Sequence, residues 1–231
     1  MLIKLTLLSY NNLLLDTEKQ ILYADFNVIN YLYEKKIKVA SNILLYPDST
    51  SMNIVLRLRK KTVSNLVSTD LQERILSNAN QQKRKVFFFG DKQSVLEKLK
   101  EKISYDYPGL IPVGYINGYD YNNDIVISFI NKTQPDILFV GLGVGRQEPW
   151  IIENAEKLNA CFIISVGGWF RFLSGAKKRA PVIFRKLHLE WIYKIVTDFK
   201  RLWKRYLFGI PKFFYRVLFG KIQFEIVDQD G

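Results

Sequence analysis

An α/β fold, with a mostly parallel sheet and helices on both faces, is predicted by two features of the 231-residue sequence. Short apolar runs alternate with segments of helical periodicity, and three of those runs end on glycine, the pattern of strand-turn-helix units sharing one sheet. A third feature, a C-terminal stretch in which basic and aromatic residues interleave, predicts a basic amphipathic helical appendage.

In chain order, Met1 to Asp16 reads as a strand pair. It carries one lysine, no basic leader and no small-residue cleavage site, so a cytoplasmic chain without a signal peptide is expected. Strands are expected at Asn42 to Asp48, Lys85 to Asp91, Leu110 to Ile116, Asp136 to Gly143 and Ala160 to Gly168. Helices are expected around 26–37, 49–60, 69–79, 92–105, 121–133 and 147–158. The strands run into Gly90, into Gly141 and Gly143, and into Gly167 and Gly168, where a backbone free of Cβ can approach a phosphate and the next helix N-terminus favours its charge. A nucleotide site in a Rossmann-like sheet follows. Gly141-Leu142-Gly143-Val144-Gly145-Arg146 puts arginine where the dinucleotide fingerprint needs its third glycine, and no Walker lysine follows, so neither a dehydrogenase nor a P-loop site is supported.

The one boundary drawn falls near Arg179-Ala180-Pro181, dividing residues 1–179 from residues 180–231. The net charge of +12 is concentrated beyond it: Met1 to Gly175 holds 21 Lys and Arg against 17 Asp and Glu, whereas Ala176 to Lys221 holds 13 against 2. On a helix from Trp191 to Leu207, Ile192, Ile195, Val196, Phe199, Leu202, Trp203 and Tyr206 share a face, with Lys194, Arg201, Lys204 and Arg205 opposite or flanking. Gly209 and Pro211 are expected to end it. Three roles suit such a helix: packing on the core with solvated lysines, nucleic-acid binding, or docking on anionic lipid, which fits best.

Other classes are excluded. Cys161 is the single cysteine, so no disulfide forms within the chain, and as part of an apolar strand it reads as a buried thiol. His188 is the single histidine, too little for a His/Cys zinc site. Asp228-Gln229-Asp230, the one Asp-x-Asp, lies in the terminal residues and reads as a solvated tail beyond any strand, so no metal clamp is expected. No stretch free of charged residues exceeds 13 residues, short of the roughly 18 needed to cross a bilayer.

A set of blocks in order resembles the WecG/TagA/CpsF glycosyltransferases, glycosyltransferase family 26. They are Pro47 to Thr50, Ser68 to Leu71, Val86 to Asp91, Tyr107 to Tyr119, Pro135 to Ile151, Val166 to Gly175, Lys178 to Pro181, Leu189 to Lys194 and Lys200 to Leu207. The resemblance covers roughly residues 20–215. It implies an inverting transferase that moves N-acetylmannosamine or a related hexose from a UDP-sugar to a polyprenyl-diphosphate-linked saccharide, at the inner face of the membrane. It implies residues 1–179 as the nucleotide-sugar-binding catalytic domain and residues 180–231 as a membrane-associating lid.

By that resemblance Asp48 is the catalytic base, and a strand-end carboxylate suits removal of the acceptor proton. Asp48 is equally suited to capping a helix from Ser49. Gln147 and Glu148 match the family's donor-pocket pair, and Asp70 matches a donor-binding Asp that could instead cap a helix. Gly90, Gly141, Gly143, Gly167 and Gly168 are the expected backbone-approach positions at the donor. Lys194, Arg201, Lys204 and Arg205 fall where the family holds the diphosphate. No metal cofactor is expected, nucleic acid is not the expected partner, and a homo-oligomer is left open.

The departures are specific. Ser49 replaces the glycine after the catalytic Asp, Gly145 replaces a proline, His188 replaces a glycine, and Arg171 replaces an aspartate. Asp25 is the candidate for the family's early asparagine. Asp25 and Arg171 would shift donor preference, and together with Ser49 they leave open a nucleotide-sugar binder without turnover.

Overall fold

Six parallel strands carry the site. The computed structural model describes residues 1–7, 20–40, 42–58, 68–159, 162–178, 180–181, 184, 190–197 and 199–228. The main sheet contains β2 (Gln20–Ala24), β3 (Ile43–Pro47), β4 (Lys85–Gly90), β5 (Ile111–Ile116), β6 (Ile137–Gly141) and β7 (Phe162–Ser165), in the order β3-β2-β7-β6-β4-β5. Every pairing in it is parallel, so all the strands deliver their carboxyl ends to one edge.

Central strands are apolar on both faces because helices cover both. On one face Leu22, Phe87, Phe89, Leu138 and Val140 pack with α1 (Phe26–Glu34), α2 (Thr50–Leu58), α5 (Asn123–Thr133) and α6 (Gln147–Asn154). On the other, Tyr23, Val86, Phe88, Phe139 and Ile164 meet α3 (Ser68–Gln81), α4 (Gln93–Asp106) and the short α7 (Trp169–Leu173). The three consecutive phenylalanines of β4 show the period of two. Phe88 stacks on Phe139 at 5.3 Å, while Phe89 meets Trp150 at 4.8 Å on the opposite side. β5, which contains Pro112, takes the edge, where a missing N–H is tolerated.

Among the described residues up to 159, the expected main-sheet strands and the helices are present, with one addition. β2 was not expected, since Gln20-Ile21-Leu22-Tyr23-Ala24 is short and has no alternation. Of the strand pair expected in Met1 to Asp16, the first half is β1 (Leu2–Leu7) and residues 8–16 lie outside the described residues; β1 pairs in parallel with β8 (Gln223–Asp228), from Leu2 beside Gln223 to Leu7 beside Asp228. The N-terminal ammonium donates to Lys221 O at 2.7 Å. Asp228 therefore closes a strand rather than lying in a tail beyond any.

The tail departs most from expectation. Two helices, α8 (Glu190–Thr197) and α9 (Phe199–Leu218), replace the single helix drawn over Trp191 to Leu207, and α9 continues through Gly209 and Pro211. Tertiary packing overrides both breakers. A Cβ on Gly209 would lie 3.0 Å from the Phe26 ring, so glycine here lets α9 approach α1 closely. Asn30 Nδ2 donates to Gly209 O at 2.9 Å, pinning the backbone at that point. Arg216, 7% exposed, donates to Asn30 Oδ1 at 2.8 Å and to Glu34 Oε1 at 3.0 Å, and its guanidinium sits 4.5 Å from the Tyr33 ring centre. Of the expected apolar face, Leu202 is buried and Tyr206 half-buried, but Val196 and Phe199 are exposed, because the docked face of α9 runs through Leu202, Tyr206, Ile210 and Phe213. Cys161, Arg179 and His188 lie outside the described residues.

Candidate active site

A cleft of about 450 Å³ opens at the carboxyl ends of β2, β4, β6 and β7. The turns after β6 and β7 form its floor through Gly141 to Val144 and through Gly167 and Gly168. Asp25 stands at the end of β2, Asp91 after β4, and Arg146, Arg171 and Lys177 complete the polar lining. Leu202 and Tyr206 of α9 form part of the wall, so the appendage borders the site.

The glycines divide into two kinds. A Cβ on Gly90 would collide with the backbone of Gly141, and one on Gly141 would lie 2.7 Å from the Phe170 ring, so the first serves close packing of strand on strand and the second of strand on α7. Gly143 and Gly167 have φ of +84° and +54° with nothing within 4 Å of a built Cβ. They are required by turn geometry and leave open space in front of the floor.

A buried pair braces the two turns from below. Glu148, fully buried, accepts from Gly145 N–H at 2.6 Å and from Gln147 Nε2 at 2.9 Å. Gln147 Oε1 in turn accepts from Gly167 N–H at 3.1 Å. The β6 and β7 turns are thereby joined through two side chains. Burial pushes the Glu148 carboxyl above the ordinary glutamate range, and the nearby Asp25 charge adds to the rise.

Asp25 lines the cleft while capping α1: its carboxylate accepts from Asn27 N–H at 2.8 Å and Val28 N–H at 2.9 Å. Asp48 lies one strand further out. Ala24 pairs with Pro47, and Asp48 N–H donates to Ala24 O at 3.0 Å, so the half-buried Asp48 flanks Asp25 on the same sheet edge and is not among the cleft-lining residues. Burial first, then the Asp48 charge, raises the pKa of the Tyr23 phenol on the adjoining strand. Ser49 has φ of +103°, a conformation that favours glycine.

Asp70 lies in the first turn of α3, and its side chain, like those of Lys194, Arg201 and Arg205, lies outside the described residues. Lys204 is exposed, with its ammonium 5.4 Å from the Trp203 ring centre. Of the cationic rim, sequence reasoning singled out Arg171 but missed Arg146, Lys177 and the partner of Arg171. Asp91, only 3% exposed, receives Arg171 Nε at 2.7 Å and Nη2 at 3.1 Å, and Arg171 Nη2 also reaches Tyr119 OH at 3.4 Å. Arg146 lies 4.9 Å from the Tyr119 ring centre and Lys92 lies 6.0 Å from it. The available signal was an aspartate directly after a strand-ending glycine, which needs a cation when buried.

The profile of the glycosyl transferase WecG/TagA/CpsF family matches residues 16–225. The chain belongs to that family. It is 34% identical over 166 residues to an N-acetylglucosaminyldiphosphoundecaprenol N-acetyl-beta-D-mannosaminyltransferase of Staphylococcus aureus, covering 71% of this chain and 64% of the relative. A protein of the same name from Bacillus spizizenii is 35% identical over 190 residues, covering 82% of this chain and 72% of the relative. The chain thus matches just under two thirds of the staphylococcal relative's length. Among the described residues, no helix is long and apolar enough to cross a membrane, and no three His, Cys, Asp or Glu side chains are grouped to hold a metal ion.

Proposed function

We propose that this chain is an inverting glycosyltransferase that moves a hexose, N-acetylmannosamine or a close relative, from a UDP-sugar to a polyprenyl-diphosphate-linked saccharide at the cytoplasmic membrane face. The observation that carries the reading is the cleft itself: two braced glycine turns at the edge of a parallel sheet, walled by α9, in a chain of this family.

In the proposed reaction Asp48 takes the proton of the acceptor hydroxyl as that oxygen bonds to the anomeric carbon, while the bond to UDP breaks and its electron pair moves to the β-phosphate oxygen. The carboxylates of the cleft itself hold structure: Asp25 caps α1, Asp91 is ion-paired and Glu148 braces the turns, while Asp48 flanks Asp25 from the next strand. Charge on the departing phosphate is countered by cations rather than by a resident metal, a view supported by Arg146, Arg171 and Lys177 in the lining.

Docking on anionic lipid is supported by the outer side of α9. Leu207 and Phe208 are 60% and 61% exposed, and Leu218 and Phe219 are 73% and 69% exposed, with exposed Lys204 among them. The docked face already meets α1, so this second apolar stripe serves something else.

The test is Asp48→Asn assayed with UDP-sugars and a polyprenyl-diphosphate-linked saccharide. The expected result is retained donor affinity with transfer reduced at least about 100-fold, within the range for loss of a general base. Unchanged turnover removes Asp48 from the mechanism. For the membrane, Leu207→Glu with Phe208→Glu should abolish flotation with anionic liposomes, and persistence of flotation would refute that face.

A further inference from the structure

Arg171, on α7, brings a guanidinium to the cleft, and the structure shows how the chain holds it there. Asp91, on the turn after β4, is 80 residues away in sequence and takes two of the guanidinium's N–H groups. The pair is asymmetric. Asp91 keeps 2% of its side chain exposed and Arg171 keeps 30%, so the carboxylate is consumed inside and the cation faces outward. Both residues line the cleft. Nε and Nη2 of Arg171 are taken by Asp91 and Tyr119, and Nη1 has no protein acceptor among the described residues. Arg146 reinforces this side: its Nε donates to Leu142 O at 3.1 Å, which fixes the guanidinium over the Tyr119 ring.

A carboxylate at this place would accept hydrogen bonds from a ligand, whereas a pinned guanidinium donates them. Resting on the nucleotide-sugar reading, we propose that Arg171, fixed by Asp91, is a donor-specificity residue whose Nη1 edge binds an oxyanion of the donor. The oxyanion is either the diphosphate or a carboxylate carried by the transferred sugar. Asp91 is a positioning residue in this arrangement, because it acts through Arg171.

The test uses the full chain and isothermal titration with pyrophosphate, uridine, UDP, UDP-N-acetylglucosamine and UDP-glucuronate. Two variants accompany the wild type. Arg171→Lys preserves the ion pair but removes the second donor edge. Asp91→Asn with Arg171→Gln removes both charges together and leaves no buried carboxylate without a partner. If the diphosphate is the partner, both variants bind pyrophosphate and UDP at least tenfold more weakly while uridine is unchanged. If the sugar carboxylate is the partner, UDP binding is retained and a wild-type preference for UDP-glucuronate over UDP-N-acetylglucosamine is lost. Folded variants that bind all five probes within twofold of wild type overturn the inference and leave the nucleotide-sugar reading intact. Wild-type binding of pyrophosphate but no uridine compound, with loss in the variants, keeps the oxyanion site and overturns the UDP-sugar reading. A wild type that binds none of the five overturns both.

Discussion

Replacing Arg216 by methionine separates the docking of α9 from the rest of the fold. Methionine keeps most of the apolar stem but removes the guanidinium, leaving the Asn30 amide oxygen without its donor at 2.8 Å in a residue only 7% exposed. Loss of a hydrogen bond from a charged group costs about 1.5–3 kcal/mol. The stacking on Tyr33 at 4.5 Å adds roughly 1–2 kcal/mol for a partly desolvated pair. The bond to Glu34, whose side chain is 44% exposed, adds at most about 1 kcal/mol. The docking of α9 on α1 should therefore weaken by roughly 3–5 kcal/mol, which for a chain of this length lowers Tm by about 6–20 °C if the parts unfold together. If α9 opens locally first, hydrogen exchange along residues 199–218 rises before the sheet is affected. Calorimetry and exchange on Arg216→Met read both cases. Lys212→Met, which removes a bridge between exposed groups, is the control and should move Tm by no more than about 2 °C. An Arg216→Met protein with Tm within 2 °C of wild type and unchanged exchange in α9 would refute the role given to the network.

Three further outcomes follow from the geometry. Ser49→Gly should raise stability by about 1 kcal/mol, because glycine accommodates φ of +103° without strain, and chemical denaturation will show it as a higher midpoint at constant slope. Gly141→Ala should cost about 1–3 kcal/mol through overpacking on Phe170, whereas Gly143→Ala meets no neighbour and loses only about 1 kcal/mol to its left-handed backbone; equal losses would contradict the division of the glycines. Glu34 has its pKa lowered by the hydrogen bond from Lys212 first and by Arg216 next, so its contribution is present above about pH 4.5 and disappears as pH falls through the depressed folded value. Acid titration followed by exchange in α9 should show that loss, and Glu34→Gln should remove it.

Much of the sheet was legible because its strands are buried on both faces and end on glycine. Lys85 to Gly90 and Ile137 to Gly141 are short apolar runs of the kind that only a covered parallel strand tolerates. Pairings between distant segments were not legible. β1 and β8 join the two ends of the chain, and nothing local in Leu2 to Leu7 names Gln223 to Asp228 as its partner. The same holds for Arg171, read along the chain as an added cation in Trp-Phe-Arg-Phe and seen as the partner of the buried Asp91 only once the β4 turn and α7 are side by side. Gly209 and Pro211 defeat a local reading for a related reason: breaker strength is weighed there without the α1 surface on which α9 stays helical through them. Gln147 and Glu148 are placed at the donor by resemblance, and what no local pattern showed is that both are buried and brace the β6 and β7 turns.

That last distinction bears on how the cleft keeps its shape. Two open glycine turns, free of Cβ contacts and left-handed at Gly143 and Gly167, would by themselves be the least constrained part of the sheet edge. Gln147 removes that freedom by accepting from Gly167 N–H while donating to Glu148, which holds Gly145 N–H. The amide is matched at both ends, with its oxygen toward a backbone donor and its nitrogen toward a carboxylate, so neither exchange of glutamine for glutamate nor the reverse preserves the chain of bonds. Floor geometry is thus set by side chains no ligand needs to touch, and the acids left to face the cleft differ by their partners rather than by their type. Asp25 is tied to a helix end and Asp91 to a guanidinium, and Asp48, outside the cleft lining, flanks Asp25 one strand away beside a serine in a glycine conformation. Local strain of that kind persists only where surrounding packing enforces it, and the enforcement here falls on the residue next to the proposed base.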